Sequence, residues 1–149
     1  RHIHRAEEIK DELNLIGLNV HLHSSNKLIK NDTDIYLVDT FGETKSFLKL
    51  SKIAFMGKSI HGYGGQNPIE AARLGNRIIH GPNIENFVEV YKFLEKHGIS
   101  TKIKSYKDLE KLIIKFNRKK NYSNQIIKKL AYTGKQILLN NEKEINKYC

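Results

Sequence analysis

The chain has 149 residues, enough for one domain with a hydrophobic core, and its apolar (39%) and charged (28%) fractions are those of a globular protein. No apolar run approaches the roughly 20 residues that a membrane-spanning helix needs, and the N-terminus lacks the layout of a signal peptide. The single cysteine, Cys149, excludes an internal disulfide framework and favours a reducing, cytoplasmic setting. Residue 1 is Arg rather than Met, so we expect the chain to be part of a longer protein.

The formal net charge of +10 is concentrated in the C-terminal third of the chain. Residues 1–101 carry 13 Lys and Arg against 12 Asp and Glu, whereas residues 102–149 carry 13 against 4. Such a basic region attracts nucleic acid or an anionic membrane surface. A general bias of the composition toward Lys, Asn and Ile explains the same excess without any binding role. Neither an aromatic-rich basic motif nor zinc-ligand spacing is present, so we expect no nucleic-acid partner.

Predicted helices and strands alternate along the chain. In order, the apolar periodicity predicts a helix over 4–16, strands over 18–24 and 34–40, a helix over 42–51, a strand over 52–57, a helix over 67–74, a strand over 76–81, a helix over 85–98, a strand over 100–105, and helices over 106–116 and 121–148. This alternation indicates an α/β fold, a parallel sheet with helices on both faces. No repeat or linker divides the chain, so we predict one domain over 1–149, with 121–148 as its C-terminal helical segment.

The strongest local motif is the segment 61–70, HGYGGQNPIE, which follows the strand predicted over 52–57. In parallel α/β sheets, ligands bind beyond the carboxyl ends of the strands, where loops lead into helix N-termini. Glycines allow backbone N–H groups to approach an anion closely, and a helix N-terminus adds partial positive charge. Gly62, Gly64 and Gly65 therefore predict a phosphate-binding loop, although the segment matches neither the dinucleotide fingerprint nor the P-loop.

The residues after these glycines are also ordinary helix-start residues. Asn67 suits the N-cap, Pro68 suits the first helical position, and Glu70 favours the helix dipole three residues after the cap. Helix capping alone explains all three residues. A binding role therefore depends on their combination with the glycines.

Two further segments are candidates for contacts with an anion. In RHIHR, Arg1 and Arg5 are four residues apart and share one face of a first helical turn, although a solvated basic tip is the alternative. In DTFGE, Gly42 turns the chain after a predicted strand and Glu43 lies near the same sheet edge, although a plain turn or helix cap is the alternative.

The seven histidines do not predict a metal site. His2 and His4 are two residues apart, as are His21 and His23, but no carboxylate or cysteine completes a ligand set. We therefore expect no metal and no cofactor.

Taken together, these motifs resemble the bacterial Kdo transferases, which transfer 3-deoxy-D-manno-octulosonic acid (Kdo) in lipopolysaccharide synthesis. The order in that family is RHxxR, DTxGE, AFxGxSxxxxGGxNPxEAA and GPxxxNF. In this chain the four motifs stand at 1–5, 39–43, 54–72 and 81–87, so the resemblance covers roughly residues 1–116.

The resemblance implies the C-terminal, donor-binding domain of a GT-B glycosyltransferase, with a Rossmann-like parallel sheet. It implies CMP-Kdo as donor substrate, and a parent enzyme that transfers Kdo to lipid A precursor at the cytoplasmic face of the bacterial inner membrane. The Glu70 carboxylate suits the ribose diol, and the amides of the glycine loop suit the phosphate. The candidate contacts with CMP-Kdo are Arg1, His2, Arg5, Phe41, Gly42, Glu43, Gly64, Gly65, Asn67, Pro68, Ile69 and Glu70.

Three departures from the family pattern affect this interpretation. Gln66 stands where the family commonly has His, and Thr44 stands where it usually has Leu. The family's general base is a glutamate of the N-terminal acceptor domain, which this chain lacks together with the strand that precedes RH. We therefore expect the chain alone to be soluble, to bind the donor weakly and to catalyse nothing, with the lipid A precursor bound through the N-terminal domain.

Two other functions remain open. A GT-B relative that uses a UDP-sugar would be protected against thermal unfolding by the uridine nucleotide rather than by CMP. A non-catalytic module that docks on membrane or nucleic acid through the basic C-terminal region would bind in a salt-dependent manner and ignore nucleotides. The basic region also suits a Kdo transferase, which it would hold near anionic lipid.

Overall fold

The structure, a computed structural model, describes residues 3–117 together with residues 128, 131, 132, 135, 136, 139 and 143. These residues fall into two compact units, one ending at Thr44 and the other beginning at Lys45. Arg1 and His2, two predicted site residues, lie outside the described residues. The helix predicted over 121–148 also lies outside them, except for the seven isolated residues, which are helical.

The elements follow the predicted alternation. In chain order they are a 3₁₀ turn (Ile3–Arg5), α1 (Ala6–Leu15), β1 (Val20–Leu22), β2 (Ile35–Leu37), α2 (Thr44–Leu50), β3 (Ile53–Met56), a 3₁₀ turn (Gly57–Ser59), α3 (Ile69–Arg73), β4 (Arg77–His80), a 3₁₀ turn (Glu85–Phe87), α4 (Val88–Lys96), β5 (Ser100–Lys102) and α5 (Tyr106–Asn117). Every strand and helix predicted before residue 117 is present, although most are shorter at their ends than the apolar pattern indicated. Within the described residues, no helix combines the length and the apolar character that a membrane crossing requires.

The first unit packs α1 against β1, which pairs with β2 in parallel, Val20 opposite Ile35. Beyond the carboxyl ends of these strands, the Asp39 carboxylate joins the two connecting loops. It accepts hydrogen bonds from the Ser24 amide (2.8 Å) and from the Ser24 hydroxyl (2.5 Å). The hydroxyl bond is the main cause that lowers the pKa of Asp39. The aspartate of the DTFGE motif therefore fastens the loop after β2 to the loop after β1.

The second unit is built on three parallel strands in the order β3–β4–β5. The central strand, β4, buries Ile78 and Ile79 completely, and each belongs to a different apolar cluster. Ile79 packs with Ile103 and with Phe116 of α5. Ile78 packs with buried residues of α3 and α4 and with the residue before β5, namely Ala71, Ala72, Tyr91, Leu94 and Ile99. Since adjacent strand residues point to opposite faces, helices cover both faces of this sheet, as predicted.

A buried polar residue, Asn76, anchors the start of β4. Its side-chain amide donates hydrogen bonds to the carbonyl oxygens of Leu48 (2.9 Å) and Ser51 (2.7 Å) at the end of α2. The last carbonyls of a helix have no partner within the helix, so Asn76 takes the place that water would have at a free helix end. The sequence pattern did not reveal this role.

We expect Asn76→Ala to lower the free energy of unfolding by about 1–3 kcal/mol, because it removes the donor from two carbonyl groups. Chemical denaturation followed by circular dichroism measures this change. The matched control is Asn117→Ala at the exposed end of α5, which should change stability by less than about 0.5 kcal/mol. Equal effects of the two substitutions would contradict the anchoring role.

Candidate functional site

The loops at the carboxyl ends of β3 and β4 are in close backbone contact. Ser59, after β3, is fully buried, and its hydroxyl accepts a hydrogen bond from the Gly81 amide (2.7 Å) and donates to the Met56 carbonyl. The Ser59 carbonyl accepts a hydrogen bond from the Asn83 amide (2.9 Å). A Cβ on Gly81 would overlap the backbone of Ser59, so the approach of the two loops requires glycine there.

The glycine loop, residues 60–66, continues this contact. Gly64 and Gly65 are buried, and their φ angles of +89° and +66° lie in the region that side chains disfavour. A Cβ on Gly65 would lie 2.9 Å from the Asn83 carbonyl oxygen and 3.0 Å from the Cα of Ile84. These glycines are therefore required by packing against the protein itself, whether or not a ligand is bound.

Hydrogen bonds hold the backbone of the glycine loop at Gly64 and at Gln66. The Gly64 amide donates to Oε2 of Glu85 (2.8 Å), and the Gly64 carbonyl accepts from the Asn86 amide (3.3 Å). From α4, the Tyr91 hydroxyl donates to the Gln66 carbonyl (2.9 Å). Burial raises the pKa of Tyr91 to about 12, so the hydroxyl keeps its proton at neutral pH.

The helix after the loop begins two residues later than predicted. α3 starts at Ile69, and Pro68 occupies the cap position, so the prediction of Pro68 as the first helical residue was wrong. The reason is that the helical hydrogen bonds begin with the Pro68 carbonyl, which accepts from the Ala72 amide (3.0 Å). Asn67, predicted as the N-cap, therefore stands one residue before it, but its Oδ1 still accepts a hydrogen bond at the helix start, from the Ile69 amide (3.0 Å).

The start of α3 presents polar groups to solvent. Asn67 and Glu70 are exposed, Gln66 is half-buried and Ile69 is 42% exposed. Within the described part of the chain, the Glu70 carboxylate makes no ion pair and no hydrogen bond. It is therefore open to hydroxyl groups of a ligand, directly beside a loop whose shape is already set.

Arg5, in the first unit, is paired with a carboxylate of the chain, and its predicted contact with a ligand anion stays a prediction. Its guanidinium makes two hydrogen bonds to the Glu8 carboxylate, Nε to Oε2 (3.0 Å) and Nη2 to Oε1 (3.2 Å). The side-chain hydrogen bond between them is the main cause that raises the pKa of Arg5 and lowers the pKa of Glu8. A ligand anion would have to compete with this intrahelical pair.

Phe41, Gly42 and Glu43 form the turn between β2 and α2. Phe41 is 70% exposed, and Gly42 has a φ of +86°. A Cβ on Gly42 would meet nothing within 4 Å, so glycine serves the backbone turn and not a close approach. This turn and the glycine loop belong to separate units, and their common role in one site stays a prediction.

The first unit also contains a cavity of about 280 Å³. Residues of α1, of β1 and of the connection to β2 line it, among them Lys10, Lys27 and Lys30. Among the predicted donor-binding residues that the structure describes, none lines this cavity.

His80, at the end of β4, is a buried histidine that the motif analysis did not identify. Its Nδ1 lies 2.7 Å from the Gly81 carbonyl oxygen, and its Nε2 lies 2.9 Å from Oε1 of Glu95. The ring centroid of Tyr91 is 4.2 Å from that of His80. Burial lowers the pKa of His80, and the bonds to Gly81 and Glu95 oppose this shift.

Sequence reasoning missed the residues that hold the loop. Ser59 and Glu85 lie inside the motif segments 54–72 and 81–87. The motifs therefore included both residues, but they did not indicate that either one holds the loop. Tyr91 lies on the apolar face of a predicted helix, where spacing indicates only burial. Hydrogen bonds between segments more than 20 residues apart leave no periodic signal in a sequence.

A parallel α/β sheet with helices on both faces, and with loops held at the carboxyl ends of its strands, defines the Rossmann-like class of domain. The crystal structure of the C-terminal CMP-Kdo binding domain of WaaA from Acinetobacter baumannii has this fold. It matches with a TM-score of 0.77 and 22% sequence identity, over 89% of this chain and 69% of that one. The fold of this chain is therefore a Rossmann-like α/β fold shared with that C-terminal domain, as predicted.

In sequence, the chain is similar to 3-deoxy-D-manno-octulosonic acid transferases. It is 35% identical over 109 residues to the one from Rickettsia prowazekii (strain Madrid E), across 73% of this chain and 23% of the relative. It is 37% identical over 98 residues to a probable mitochondrial one from Arabidopsis thaliana, across 64% of this chain and 22% of the relative. The chain thus spans less than a quarter of the length of these curated relatives. No family model matches it. The resemblance to Kdo transferases is confirmed.

His80 should make the stability of the chain depend on pH. Because burial lowers its pKa, His80 stays neutral in the folded chain at pH values where it is already protonated in the unfolded chain. The free energy of unfolding should therefore decrease as the pH falls below the ordinary value of 6.5. Denaturation at about pH 7.5 and about pH 5.5 measures this change.

For this pH dependence, His80→Asn should reduce the decrease in stability, and His61→Asn, at an exposed position, should leave it unaltered. An unchanged decrease in His80→Asn would show that another group is responsible.

Gly65 and Gly98 have nearly the same φ angle but different space around them, so substituting each separates the destabilisation caused by close packing from that caused by backbone strain. Gly98 has a φ of +68° and open space where a Cβ would stand, whereas Gly65 has a φ of +66° and two backbone atoms there. We expect Gly98→Ala to lower the free energy of unfolding by about 1–2 kcal/mol from backbone strain. Gly65→Ala should cost about 1–3 kcal/mol more, because the loops must separate. Equal costs in urea denaturation would argue against close packing as the reason for Gly65.

Proposed function

We propose that the chain binds CMP-Kdo as the donor-binding part of a glycosyltransferase. The parent enzyme would transfer Kdo to lipid A precursor. The observation that carries the proposal is the glycine loop, held in shape by the protein and followed directly by the exposed Asn67 and Glu70. The relatives are 3-deoxy-D-manno-octulosonic acid transferases and the structural neighbour is a CMP-Kdo binding domain, which supports this choice of ligand.

In this proposal, the start of α3 and the glycine loop before it bind different parts of the nucleotide. The Glu70 carboxylate accepts hydrogen bonds from the ribose hydroxyls, and the amides of the glycine loop donate to the phosphate. Ile69 completes the wall beside the ribose, and Pro68, which is fully buried, supports it from within the protein. The contacts of Arg1, His2, Arg5 and the turn at 41–43 with CMP stay a prediction.

The proposed chemistry is electrostatic. Negative charge builds on the phosphate of CMP as its bond to the sugar breaks. N–H donors of a loop whose backbone the protein holds in shape stabilise that charge. We assign no general base to this chain and place it in another part of the parent enzyme, so the chain alone should bind CMP without catalysing transfer.

The acceptor and the location also belong to the proposal for the parent enzyme. Lipid A precursor would bind outside this chain, at the cytoplasmic face of the inner membrane. The excess of Lys and Arg in residues 102–149 supports a contact with anionic lipid there.

Calorimetric titration with CMP and with UMP tests the proposal. We expect CMP to bind more tightly than UMP, and Glu70→Ala to weaken CMP binding by about tenfold or more, because hydrogen bonds from the ribose to a charged group are lost. Glu110→Ala, at an exposed position of α5, is the matched control and should bind CMP as the unaltered chain does.

The outcomes of this titration separate the alternatives. Preference for UMP would indicate a UDP-sugar as donor. If neither nucleotide binds, a longer chain that includes the preceding part of the protein is titrated, and absence of CMP binding there would contradict the proposal.

A further inference from the structure

The Gly64 amide, which a donor anion would need, already binds an anion of the chain itself. Its N–H donates to Oε2 of Glu85 over 2.8 Å, a length typical of hydrogen bonds to a charged acceptor. Glu85 opens the 3₁₀ turn after β4, on the segment that packs against the glycine loop. A carboxylate and a phosphate present the same kind of acceptor, an anionic oxygen.

The glycine loop has other supports than Glu85. The Asn86 amide binds the Gly64 carbonyl, and the Tyr91 hydroxyl binds the Gln66 carbonyl. Gly65 packs directly on the backbone of residues 83–84. Glu85 is itself exposed, so its carboxylate can move into water without leaving a buried charge behind.

Two anions cannot use the Gly64 N–H together. One N–H makes one strong hydrogen bond, and two negative groups at hydrogen-bond distance from the same proton repel each other. A donor anion at Gly64 therefore requires the Glu85 carboxylate to leave.

We propose that Glu85 occupies the place of an anionic oxygen of the donor in the ligand-free chain, and that donor binding displaces its carboxylate from Gly64. This inference rests on the proposed function and deepens it, because it names a residue that sets the affinity of the same site. Two groups of the donor can supply the anionic oxygen, namely the phosphate and the carboxylate of the octulosonic acid.

Calorimetric titration of two variants with CMP tests the displacement. Glu85→Gln keeps the length and one acceptor oxygen but removes the charge, and Glu85→Ala removes the acceptor as well. Each variant should bind CMP about three- to tenfold more tightly than the unaltered chain, since the nucleotide no longer competes with a charged hydrogen bond. Glu89→Gln removes the same charge at an exposed position of α4, and its CMP affinity should not change.

The amide resonance of Gly64 in a ¹⁵N-labelled chain reports the contact directly. In the ligand-free chain, Glu85→Gln should shift this resonance and Glu89→Gln should not. Addition of CMP to the unaltered chain should shift it if the phosphate takes the place of Glu85. A shift with free Kdo and not with CMP would assign that place to the sugar carboxylate.

The proposal is overturned if both Glu85 variants bind CMP more weakly, because Glu85 would then be a support of the loop. It is also overturned if their affinities for CMP and for free Kdo both equal those of Glu89→Gln, or if CMP binds while the Gly64 resonance responds to neither CMP nor Kdo. In these cases the proposed function survives. If no variant binds CMP or Kdo, even in the longer chain, the proposed function fails and this inference fails with it.

Discussion

The close approach of two backbone segments at the carboxyl ends of β3 and β4 is the constraint on which the candidate site depends. Parallel pairing brings both strand ends to one edge of the sheet, and Ser59 then joins them by hydrogen bonds. Gly81, Gly64 and Gly65 allow the approach because none of them places a Cβ between the segments. The glycine loop therefore takes its shape from its neighbour in the fold, and a ligand would meet a surface that is already formed.

A loop held in this way loses little conformational freedom when a ligand binds, which favours affinity. The same arrangement must satisfy the loop's backbone groups while no ligand is present. Tyr91 and Asn86 satisfy two carbonyls, and Glu85 satisfies the amide of Gly64. We proposed that an incoming anion replaces the last of these contacts, since the Gly64 N–H can donate to any anionic oxygen and Glu85 reaches solvent.

The structure shows the surroundings of the residues that depart from the family pattern. Gln66, which stands where the family commonly has His, contributes its carbonyl to Tyr91, so the fold depends on the backbone at this position and leaves the side chain free to vary. Thr44, in place of the usual Leu, is exposed and begins α2. Arg5 is paired with Glu8, so its match to the RHxxR motif alone does not show that it contacts a ligand.

The sequence by itself determined the order of strands and helices through residue 117, because apolar spacing records local burial. It also determined the role of Asn67 at the start of α3, because that hydrogen bond joins residues only two positions apart. Its motifs also marked the segments that form the candidate site. Only the tertiary structure decided which carbonyl begins α3, that Asn76 anchors α2, that His80 is buried, and that Glu85 binds Gly64. Most of these contacts join residues about 20 positions or more apart, and the path of the chain through the sheet, which no local pattern records, brings them together.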